Sequence, residues 1–304
     1  MKFVFPLPHM LRLKATVQPW EASVTGADQT RMAKRADELG YDMILTPEHF
    51  VIPRQHVDLS GPHYFHAAAA QGYLAGATQR IRIGTSITIL PLHNPIVLAK
   101  ALSTIDWLSS GRIEVSLAVG WLKEEFDALG APFHKRGRMA DEYVAAMIAL
   151  WTQEWASFEG EFVSFKDVAF EPKPVQKPHL PIWMGGDSDA ALKRAAKFAT
   201  GWIPFLTKPE LIPERIAFIK AQPEYKAETF EVMYGLATSR VGEGHAVMKD
   251  DKAAMNAQQI IDGLGKLKAM GVTMSAVPIP PCADIEAYLD HAQWVMEEIK
   301  PKLG

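Results

Sequence analysis

The stretch RIRIGTSITILPLHNPIVLAKALSTIDWLSSGRIEVSLAVGW, residues 80–121, contains a complete strand–helix–strand unit. Two runs at 81–90 and 112–119 are rich in β-branched residues, which favour strands. A helical stretch at 95–109 lies between them. This unit is the repeating element of an α/β fold.

Cap residues and glycines mark the ends of the predicted helices. Asn94-Pro95 places an N-cap residue before a proline at the first helical position. Gly40, Gly111 and Gly271 each follow a helical stretch, where a left-handed cap is favoured. These signals support the helix positions.

The same alternation runs along the whole chain of 304 residues. The β-rich runs lie at 2–7, 41–46, 81–90, 112–119, 181–185, 201–206, 230–238 and 272–279. The helical stretches lie at 28–39, 64–77, 95–109, 138–152, 188–198, 209–221, 253–269 and 283–299. Eight strands alternating with eight helices predict a single domain, 1–304, folded as a (β/α)8 TIM barrel. The alternative is an open doubly wound sheet, but no strand-to-helix turn carries the G-x-G-x-x-G nucleotide-binding pattern.

Three segments are longer than simple barrel connections. Residues 48–66 follow the second strand and residues 120–137 follow the fourth, on the face where barrel enzymes carry out their chemistry. Residues 154–180 precede the fifth strand and contain FEGEFVSF, a hairpin pattern that turns at Glu159-Gly160. Long insertions in a compact domain are often functional, so we expect the site to involve them.

Composition excludes several classes of protein. A hydrophobic content of 48% suits a sizeable core, and a net charge of −3 gives no basic field for nucleic acid or an anionic membrane. The single cysteine, Cys282, cannot form an internal disulfide and fits a reducing cytoplasm. Residues 1–10 lack the features of a signal peptide, and no apolar run is long enough to span a membrane. We therefore expect a cytoplasmic protein without nucleic-acid or membrane partners.

The fourth strand alternates large apolar residues with polar or small ones. The large set, which should face the helices, is Ile113, Val115, Leu117 and Val119. The other set, which should face the barrel axis, is Glu114, Ser116 and Ala118. Small side chains near the mouth leave room for a flat ligand, and relief of crowding in a filled core explains them equally well.

The loop at 48–66 is rich in histidine. It carries His49, His56, His63 and His66. Their spacings match no zinc motif, so a metal-dependent barrel hydrolase using this loop is a minor alternative and no metal ligand is predicted. His49 follows the second strand, beside Glu48, where barrel enzymes place a general acid or base. It is the predicted catalytic residue, and a loop histidine bonded to backbone is the alternative.

The stretch WMGGDSDAALKRAAKF, residues 183–198, joins the fifth strand to its helix. Gly185 and Gly186 lie at the junction, and Asp187 or Ser188 caps the helix. Free backbone N–H groups and the helix dipole make such a junction an anion site, which suits a cofactor phosphate. The Ser188 hydroxyl is the better contact, because the Asp187 carboxylate would repel an anion. A tight turn without a ligand explains the glycines equally well.

Three stretches together resemble one family of enzymes. They are ADELGYDMILTPEHF (36–50), the stretch at 80–121 and PIWMGGDSDAALKRAAKFATGW (181–202). In this order they are similar to the bacterial luciferase-like family of flavin- and deazaflavin-dependent oxidoreductases, over residues 2 to about 206. PEHFVIP (47–53) is most similar to the branch of probable coenzyme F-420-dependent oxidoreductases.

The resemblance implies a flat cofactor ring in the barrel mouth, with its phosphate over Gly185 and Gly186. It implies a cis peptide bond at Ser86–Ile87, whose bulge supports one face of the ring, and it places His49 near the reactive edge. Together with the residue patterns above, it gives the residues predicted to bind the cofactor, which are Thr85, Ser86, Ile87, Ala118, Val119, Gly120, Gly185, Gly186 and Ser188.

The resemblance implies reduced FMN or coenzyme F-420 as the cofactor. With FMN the reaction is monooxygenation with O2 and needs a separate flavin reductase; with F-420 it is hydride transfer, in either case on a small organic substrate. Val119 stands where luciferases carry a phosphate-binding arginine, and Ser116 and Ala118 stand where many F-420 enzymes carry glycines. The residues therefore do not choose between the two. A barrel that binds a flavin without turnover is a further alternative.

Helix 64–77 is rich in small residues, which permit close helix packing. The resemblance implies a homodimer through helices in this part of the barrel. The alternative is tight packing of this helix on the protein's own sheet.

Overall fold

The computed structural model describes residues 1–14, 16–236, 240–241, 245–246 and 255–304. Its strands are β1 (Lys2–Phe5), β2 (Met43–Thr46), β3 (Arg82–Thr85), β4 (Thr88–Ile89), β5 (Val115–Ala118), β6 (Trp155–Glu159), β7 (Ser164–Ala169), β8 (Ile182–Gly185), β9 (Gly201–Ile203), β10 (Glu231–Val232), β11 (Arg240–Val241), β12 (His245–Ala246) and β13 (Met274–Ala276). Its α-helices are α1 (Gly26–Leu39), α2 (Val57–Ser60), α3 (Ala67–Ala77), α4 (Pro95–Leu108), α5 (Lys123–Ala128), α6 (Arg136–Thr152), α7 (Asp189–Phe198), α8 (Ile212–Lys220), α9 (Ala257–Ala269) and α10 (Ile285–Trp294).

The parallel strands form two sheets, ordered β13-β1-β2-β3 and β10-β9-β8-β5-β4. Single bridge pairs join the edges of these sheets, Ile83 with Ile113 on one side and Met233 with Met274 on the other. Backbone hydrogen bonds accompany both bridges, such as the one from the Tyr234 N–H to the Met274 carbonyl at 3.0 Å. This ring of parallel strands confirms the predicted (β/α)8 barrel, whose strands end at one common mouth.

The predicted third strand, 81–90, is divided into β3 and β4. The peptide bond between Ser86 and Ile87, which separates the two pieces, is cis as predicted. β3 pairs with β2 in one sheet, whereas β4 pairs with β5 in the other. The chain therefore passes from one sheet to the other at this bond.

Two predicted strands are shorter in the structure. β9 ends at Ile203, because Pro204 has no N–H to continue the ladder. β10 covers only Glu231–Val232 of the predicted run at 230–238. Residues 237–238 of that run lie outside the described residues.

The helix ends follow the predicted caps. The Asn94 Oδ1 atom accepts hydrogen bonds from the amides of the second and third residues of α4, at 3.0 and 3.3 Å. The three glycines predicted to end helices have left-handed φ values of 79°, 83° and 94°. Residues 253–254 of the predicted helix at 253–269 lie outside the described residues, and α9 begins at Ala257.

Apolar side chains fill two layers of the barrel. Ile113, Val115 and Leu117 are at most 1% exposed and belong to the layer between strands and helices. Glu114 faces the interior, where it accepts a hydrogen bond from the indole N–H of Trp183. The buried residues of the interior layer are Val4, Met43, Trp183, Ile203 and Met274. The predicted alternation of this strand is thus confirmed.

The insertion before β8 forms the predicted hairpin of β6 and β7. Its turn is fixed by Glu142 of α6, whose carboxylate accepts hydrogen bonds from the amides of Phe162 and Val163, both at 2.7 Å. The insertion at 120–137 forms α5 before the chain enters α6. Both insertions are therefore structured extensions of one barrel.

Candidate active site

Four segments reach the barrel mouth at the ends of parallel strands. His49 follows β2, the Ser86–Ile87 bond lies between β3 and β4, Gly120 follows β5 and Gly186 follows β8. Because parallel barrel strands all end on one face, these segments surround a common opening. Most of the residues predicted for the site belong to these segments.

His49 is held by a carboxylate from the inserted helix α5. Its Nδ1 atom lies 2.8 Å from Oε2 of Glu125. The other oxygen of Glu125 accepts hydrogen bonds from the amides of Phe50 at 2.5 Å and Val51 at 3.3 Å. The His49 side chain is 12% exposed and that of Glu125 is 0% exposed. Because a carboxylate accepts, the Nδ1 atom donates, and the Nε2 atom is left to exchange protons.

Aromatic side chains surround this pair. The ring of Tyr64 meets the His49 ring edge-on at 4.9 Å between centroids, and the ring of Trp121 lies at 6.1 Å. Burial raises the pKa of Tyr64 to about 12, and the charge of Glu125 adds to the rise. The tyrosine is therefore neutral, and its hydroxyl donates to the Ser60 carbonyl at 2.6 Å. These rings limit the access of water to His49.

A second buried pair lies next to His49. The carboxylate of Glu48 accepts hydrogen bonds from the Ile89 amide at 2.9 Å and from His93 Nε2 at 2.8 Å. Glu48 is 4% exposed. Its carboxylate thus connects the end of β2 to β4, immediately after the cis bond.

The hydroxyl of Thr85, at the end of β3, is bonded to the backbone of β5. Thr85 Oγ1 donates to the Ser116 carbonyl at 2.9 Å and accepts from the Ser116 amide at 3.0 Å. Thr85 is 0% exposed. Its hydroxyl therefore bridges β3 and β5, whereas the adjacent Ser86 is exposed.

Gly185 is required by a close contact within the protein. A Cβ atom at this position would lie 2.3 Å from Cδ1 of Ile87 and 3.4 Å from the Cβ of Ala118. The glycine at the end of β8 therefore makes room for Ile87, the residue after the cis bond. Gly120 has a φ of 78°, and a Cβ there would lie 2.6 Å from Cγ2 of Ile89.

The backbone of Gly186 is already hydrogen bonded on both sides. Its N–H donates to the Ile203 carbonyl at 3.2 Å, and its carbonyl accepts from the Trp202 indole at 2.8 Å. The expectation of a free amide at this glycine is therefore wrong, because the pairing of β8 with β9 continues through it. At this junction, among the described residues, the amides with no hydrogen-bond acceptor are those of the next four residues, 187–190.

Asp187 and Ser188 both stabilise this junction. The Asp187 carboxylate accepts hydrogen bonds from the amides of Phe205, Leu206 and Thr207, at 2.8 to 3.1 Å, so it is committed to the loop after β9. Ser188 is the N-cap of α7, and its Oγ accepts from the third helical amide at 3.2 Å. Among the described residues, the first two amides of α7, at 189–190, have no hydrogen-bond acceptor.

The four histidines of the loop at 48–66 go to separate partners. His49 pairs with Glu125, His63 Nε2 lies 3.1 Å from the His9 carbonyl, and His66 caps α3. The His56 ring packs edge-on against Trp121 at 5.5 Å. In the part of the chain that the structure describes, no three His, Cys, Asp or Glu side chains form a group that could hold a metal.

Glu125 is the residue of the candidate site that sequence reasoning missed. It lies 76 positions after His49, so no local spacing connects the two. The one available signal is its position in an insertion after a barrel strand, where long loops carry function.

Sequence comparison assigns the chain to a family. Residues 4–280 match the family described as luciferase-like monooxygenase. The chain belongs to this family and is an oxidoreductase, as the sequence predicts.

Two curated relatives illustrate its range. An uncharacterized protein of Mycobacterium tuberculosis (strain H37Rv) is 36% identical over 191 residues, covering 59% of this chain and 67% of the relative. The FMNH(2)-dependent dimethylsulfone monooxygenase of Pseudomonas putida is 29% identical over 241 residues, covering 74% of this chain. The chain spans 64% of that monooxygenase.

Solved structures share the fold over the full chain. The monooxygenase RslO1 of Streptomyces bottropensis superposes with a TM-score of 0.79 at 20% identity, covering 100% of both chains. An F420-dependent secondary alcohol dehydrogenase superposes with a TM-score of 0.75 at 16% identity, covering 100% of this chain and 99% of the other. The similar proteins thus include users of FMNH2 and of F420, the two cofactors that the sequence predicts.

Proposed function

We propose that this protein oxidises or reduces a small organic substrate with reduced FMN or coenzyme F-420 bound in the barrel mouth, and that His49 transfers the proton. The observation that supports this most directly is the His49–Glu125 pair, buried among aromatic rings at the end of β2. Orientation by a buried carboxylate is what a proton-transfer imidazole requires.

The residues at the mouth fit such a cofactor. The amides at 187–190 lie at the positive end of α7 and suit a phosphate, with Ser188 beside them. The bulge at Ser86–Ile87 and the segment 118–120 would hold the ring between them. When bound, the group supplies hydride transfer in the case of F-420, or oxygenation of the substrate with O2 in the case of FMN.

The chain's own residues would act on protons and water. Glu125 holds the ring of His49 so that Nε2 delivers or removes a proton at the substrate. Tyr64 and Trp121 keep bulk water from this atom, which strengthens the electrostatic interaction between the imidazole and its carboxylate.

A cofactor titration tests this proposal. The apoprotein is titrated with FMN and with F-420, each oxidised and reduced, while cofactor fluorescence is followed. Saturable binding of one of them supports the assignment, and that cofactor is then assayed for turnover with candidate substrates, under air for FMN and without oxygen for F-420. Absence of binding to all four forms contradicts the proposal, and binding without any turnover favours a non-catalytic barrel.

The proposal includes a cytoplasmic location and, for the FMN case, a separate flavin reductase. Free Cys282 suits a reducing compartment. No helix of the described ranges is both long and apolar enough to cross a membrane. A reductase is needed because the sequence has no nicotinamide-binding fingerprint of its own.

We also propose a homodimer through α3 and α4. These helices pack on each other and leave large apolar side chains in solvent, with Val97 68%, Trp107 59%, Leu108 69% and Tyr73 49% exposed. An exposed apolar group of this size on two adjacent helices is typical of an interaction surface.

A further inference from the structure

A second pair of an acid and a histidine is buried beside the barrel mouth, and the proton transfer proposed for His49 does not use it. The side chain of Glu48 is 1% exposed, and its Oε2 atom accepts hydrogen bonds from the Ile89 amide at 2.9 Å and from His93 Nε2 at 2.8 Å. Burying a carboxylate is costly unless donors compensate for the lost water. These two donors therefore stabilise Glu48 in its buried position.

Glu48 satisfies a backbone group that the sheet leaves open. β4 is the edge strand of its sheet and, among the described residues, pairs with β5 alone. The Ile89 N–H is therefore bonded to the Glu48 side chain instead of to a neighbouring strand. The other end of the segment 86–89 is held by the Ser86 N–H, which donates to the Thr46 carbonyl at 2.8 Å. The end of β2 and the residues that follow it thus fix both ends of this segment.

The segment 86–89 contacts two of the glycines predicted to lie at the cofactor. A Cβ atom at Gly120 would lie 2.6 Å from Cγ2 of Ile89, so this isoleucine fills the space beside the glycine. Ile87 fills the space beside Gly185 in the same way, with its Cδ1 atom 2.3 Å from such a Cβ. A shift of the segment would therefore change the wall of the mouth at two places.

His93 restricts the carboxylate from its other side. The His93 side chain is 11% exposed, and its ring meets the ring of Phe50 edge-on at 5.2 Å between centroids. The Phe50 amide is held in turn by Glu125. Because the imidazole is packed in this way, its bond to Glu48 keeps the carboxylate in the orientation that reaches β4.

We infer that Glu48 and His93 are positioning residues for the cofactor ring, which hold the segment 86–89 in the shape that the bound ring needs. This inference rests on the proposed function, in which that segment forms one wall of the ring site. A wall that is fixed before the ring binds costs less ordering free energy on binding, so its loss weakens the affinity. The defect should appear in the Kd of the cofactor, whereas loss of His49 or Glu125 should lower kcat.

Fluorescence titration of full-length variants with the cofactor that the wild type binds tests this inference. Glu48→Leu has a similar size but removes both hydrogen bonds, and should raise the Kd about tenfold or more. Glu48→Gln keeps an uncharged oxygen that can accept from both donors, so its Kd should stay within about threefold of the wild-type value. This rescue distinguishes positioning through hydrogen bonds from a role that needs the charge.

His93→Leu provides a second variant that does not depend on the folding of Glu48→Leu. It should raise the Kd in the same direction, while circular dichroism shows a folded chain. Asp37→Ala is the matched control, since Asp37 is a buried carboxylate that accepts from the amides at 79–81, before β3 begins at the opposite end of the barrel. It should lower the free energy of unfolding but leave the Kd of the cofactor within about twofold of the wild-type value.

The outcomes separate this inference from the proposed function. If the wild type binds neither FMN nor F-420, both fail. If the wild type binds one of them and the folded Glu48→Leu or His93→Leu protein binds it equally well, only the positioning role is overturned. An increase in Kd for Asp37→Ala as large as that for Glu48→Leu would overturn it too, because the effect would follow from general loss of stability. Failure of Glu48→Gln to restore binding would also overturn it.

Discussion

At the scale of single residues, the candidate site depends on one long-range contact. Glu125 fixes both the ring of His49 and the backbone that follows it, because its two oxygens accept from the imidazole and from the Phe50 and Val51 amides. A buried carboxylate beside an imidazole selects its tautomer and stabilises its protonated form. The role of His49 can therefore be tested through either partner.

We expect His49→Asn to lower kcat by about 10²–10⁴-fold, the usual contribution of a general acid or base. Glu125→Gln keeps an acceptor for the Phe50 amide but removes the charge, and should lower kcat by about 10–100-fold. Neither change should alter the Kd of the cofactor by more than about twofold, because both act on proton transfer. Stopped-flow or steady-state kinetics with the cofactor identified by titration provide the measurement.

Glu124→Gln is the matched control, since Glu124 is the neighbouring acid but contacts Gln55 rather than His49. It should retain the wild-type kcat. Wild-type turnover by His49→Asn would show that the proton moves through another group.

At the scale of elements, the third barrel strand and β8 are fitted to each other. The residue after the cis bond, Ile87, occupies the space that a side chain at Gly185 would need. This contact explains the first of the two glycines without a ligand, whereas the unpaired amides at 187–190 are the groups available to an anion. Gly185 thus makes room for Ile87, whereas the amides that suit an anion lie further along the chain, at 187–190.

We expect Gly185→Ala to destabilise the fold by about 1–3 kcal/mol, since its Cβ would overlap Cδ1 of Ile87. Ile87→Val removes that Cδ1 atom and should cost about 0.5–1.5 kcal/mol alone. The double variant should be more stable than the sum of the two effects predicts, because the overlap is absent. Denaturant unfolding of the four proteins measures this coupling, and strictly additive effects would mean that the contact is not close.

The sequence predicts the regular elements well and the site only in part. Strand runs and helix caps could be identified because each leaves a local pattern, such as Asn94-Pro95, whereas the cis bond could be identified only through the resemblance to the family. The Glu125–His49 contact could not, since it joins an inserted helix to a strand end across the fold. The pairing of the Gly186 amide with β9 was also hidden, because the register of neighbouring strands depends on the closure of the barrel.

At the scale of the whole molecule, the barrel is one continuous ring with a separate apolar surface on its outside. The surface formed by Tyr73, Val97, Trp107 and Leu108 lies on α3 and α4, whereas the mouth lies at the strand ends. Association through that surface would leave the His49 site in each protomer intact. The pH dependence of the free energy of unfolding is a second property of the whole molecule, because it depends on the protonation of buried histidines.

We expect the wild-type protein to sediment as a dimer and Trp107→Lys to sediment as a monomer, because a charge would be buried in the interface. Trp155→Lys is the control, since Trp155 is equally exposed at 60% but belongs to the β6–β7 hairpin rather than to α3 or α4. It should remain dimeric. Sedimentation velocity over a range of concentrations distinguishes the species, and a monomeric wild type would refute the dimer.

We expect the free energy of unfolding to fall as the pH decreases below about 6.5, the ordinary pKa of histidine. Burial lowers the pKa of His291 in the folded protein, so the unfolded chain binds the proton more tightly and gains stability as the pH falls. This loss ends below the folded pKa and is at most about 1.4 kcal/mol per pH unit for one proton. His291→Gln, which can still donate to the Pro278 carbonyl that His291 contacts at 3.1 Å, should lose stability less steeply. Denaturant unfolding from pH 7.5 to 5 provides the comparison, and an identical slope would exclude His291.

The position of Glu125 on α5 makes His49, the proposed proton-transfer residue, dependent on a segment that is not part of the barrel itself. If the insertion at 120–137 separates from the mouth, the His49 imidazole loses the Glu125 carboxylate. The Phe50 and Val51 amides lose their acceptor at the same time. If His49 transfers the proton, docking of this insertion would complete the site, and a protein nicked between α5 and α6 would keep its barrel but lose the carboxylate that orients His49.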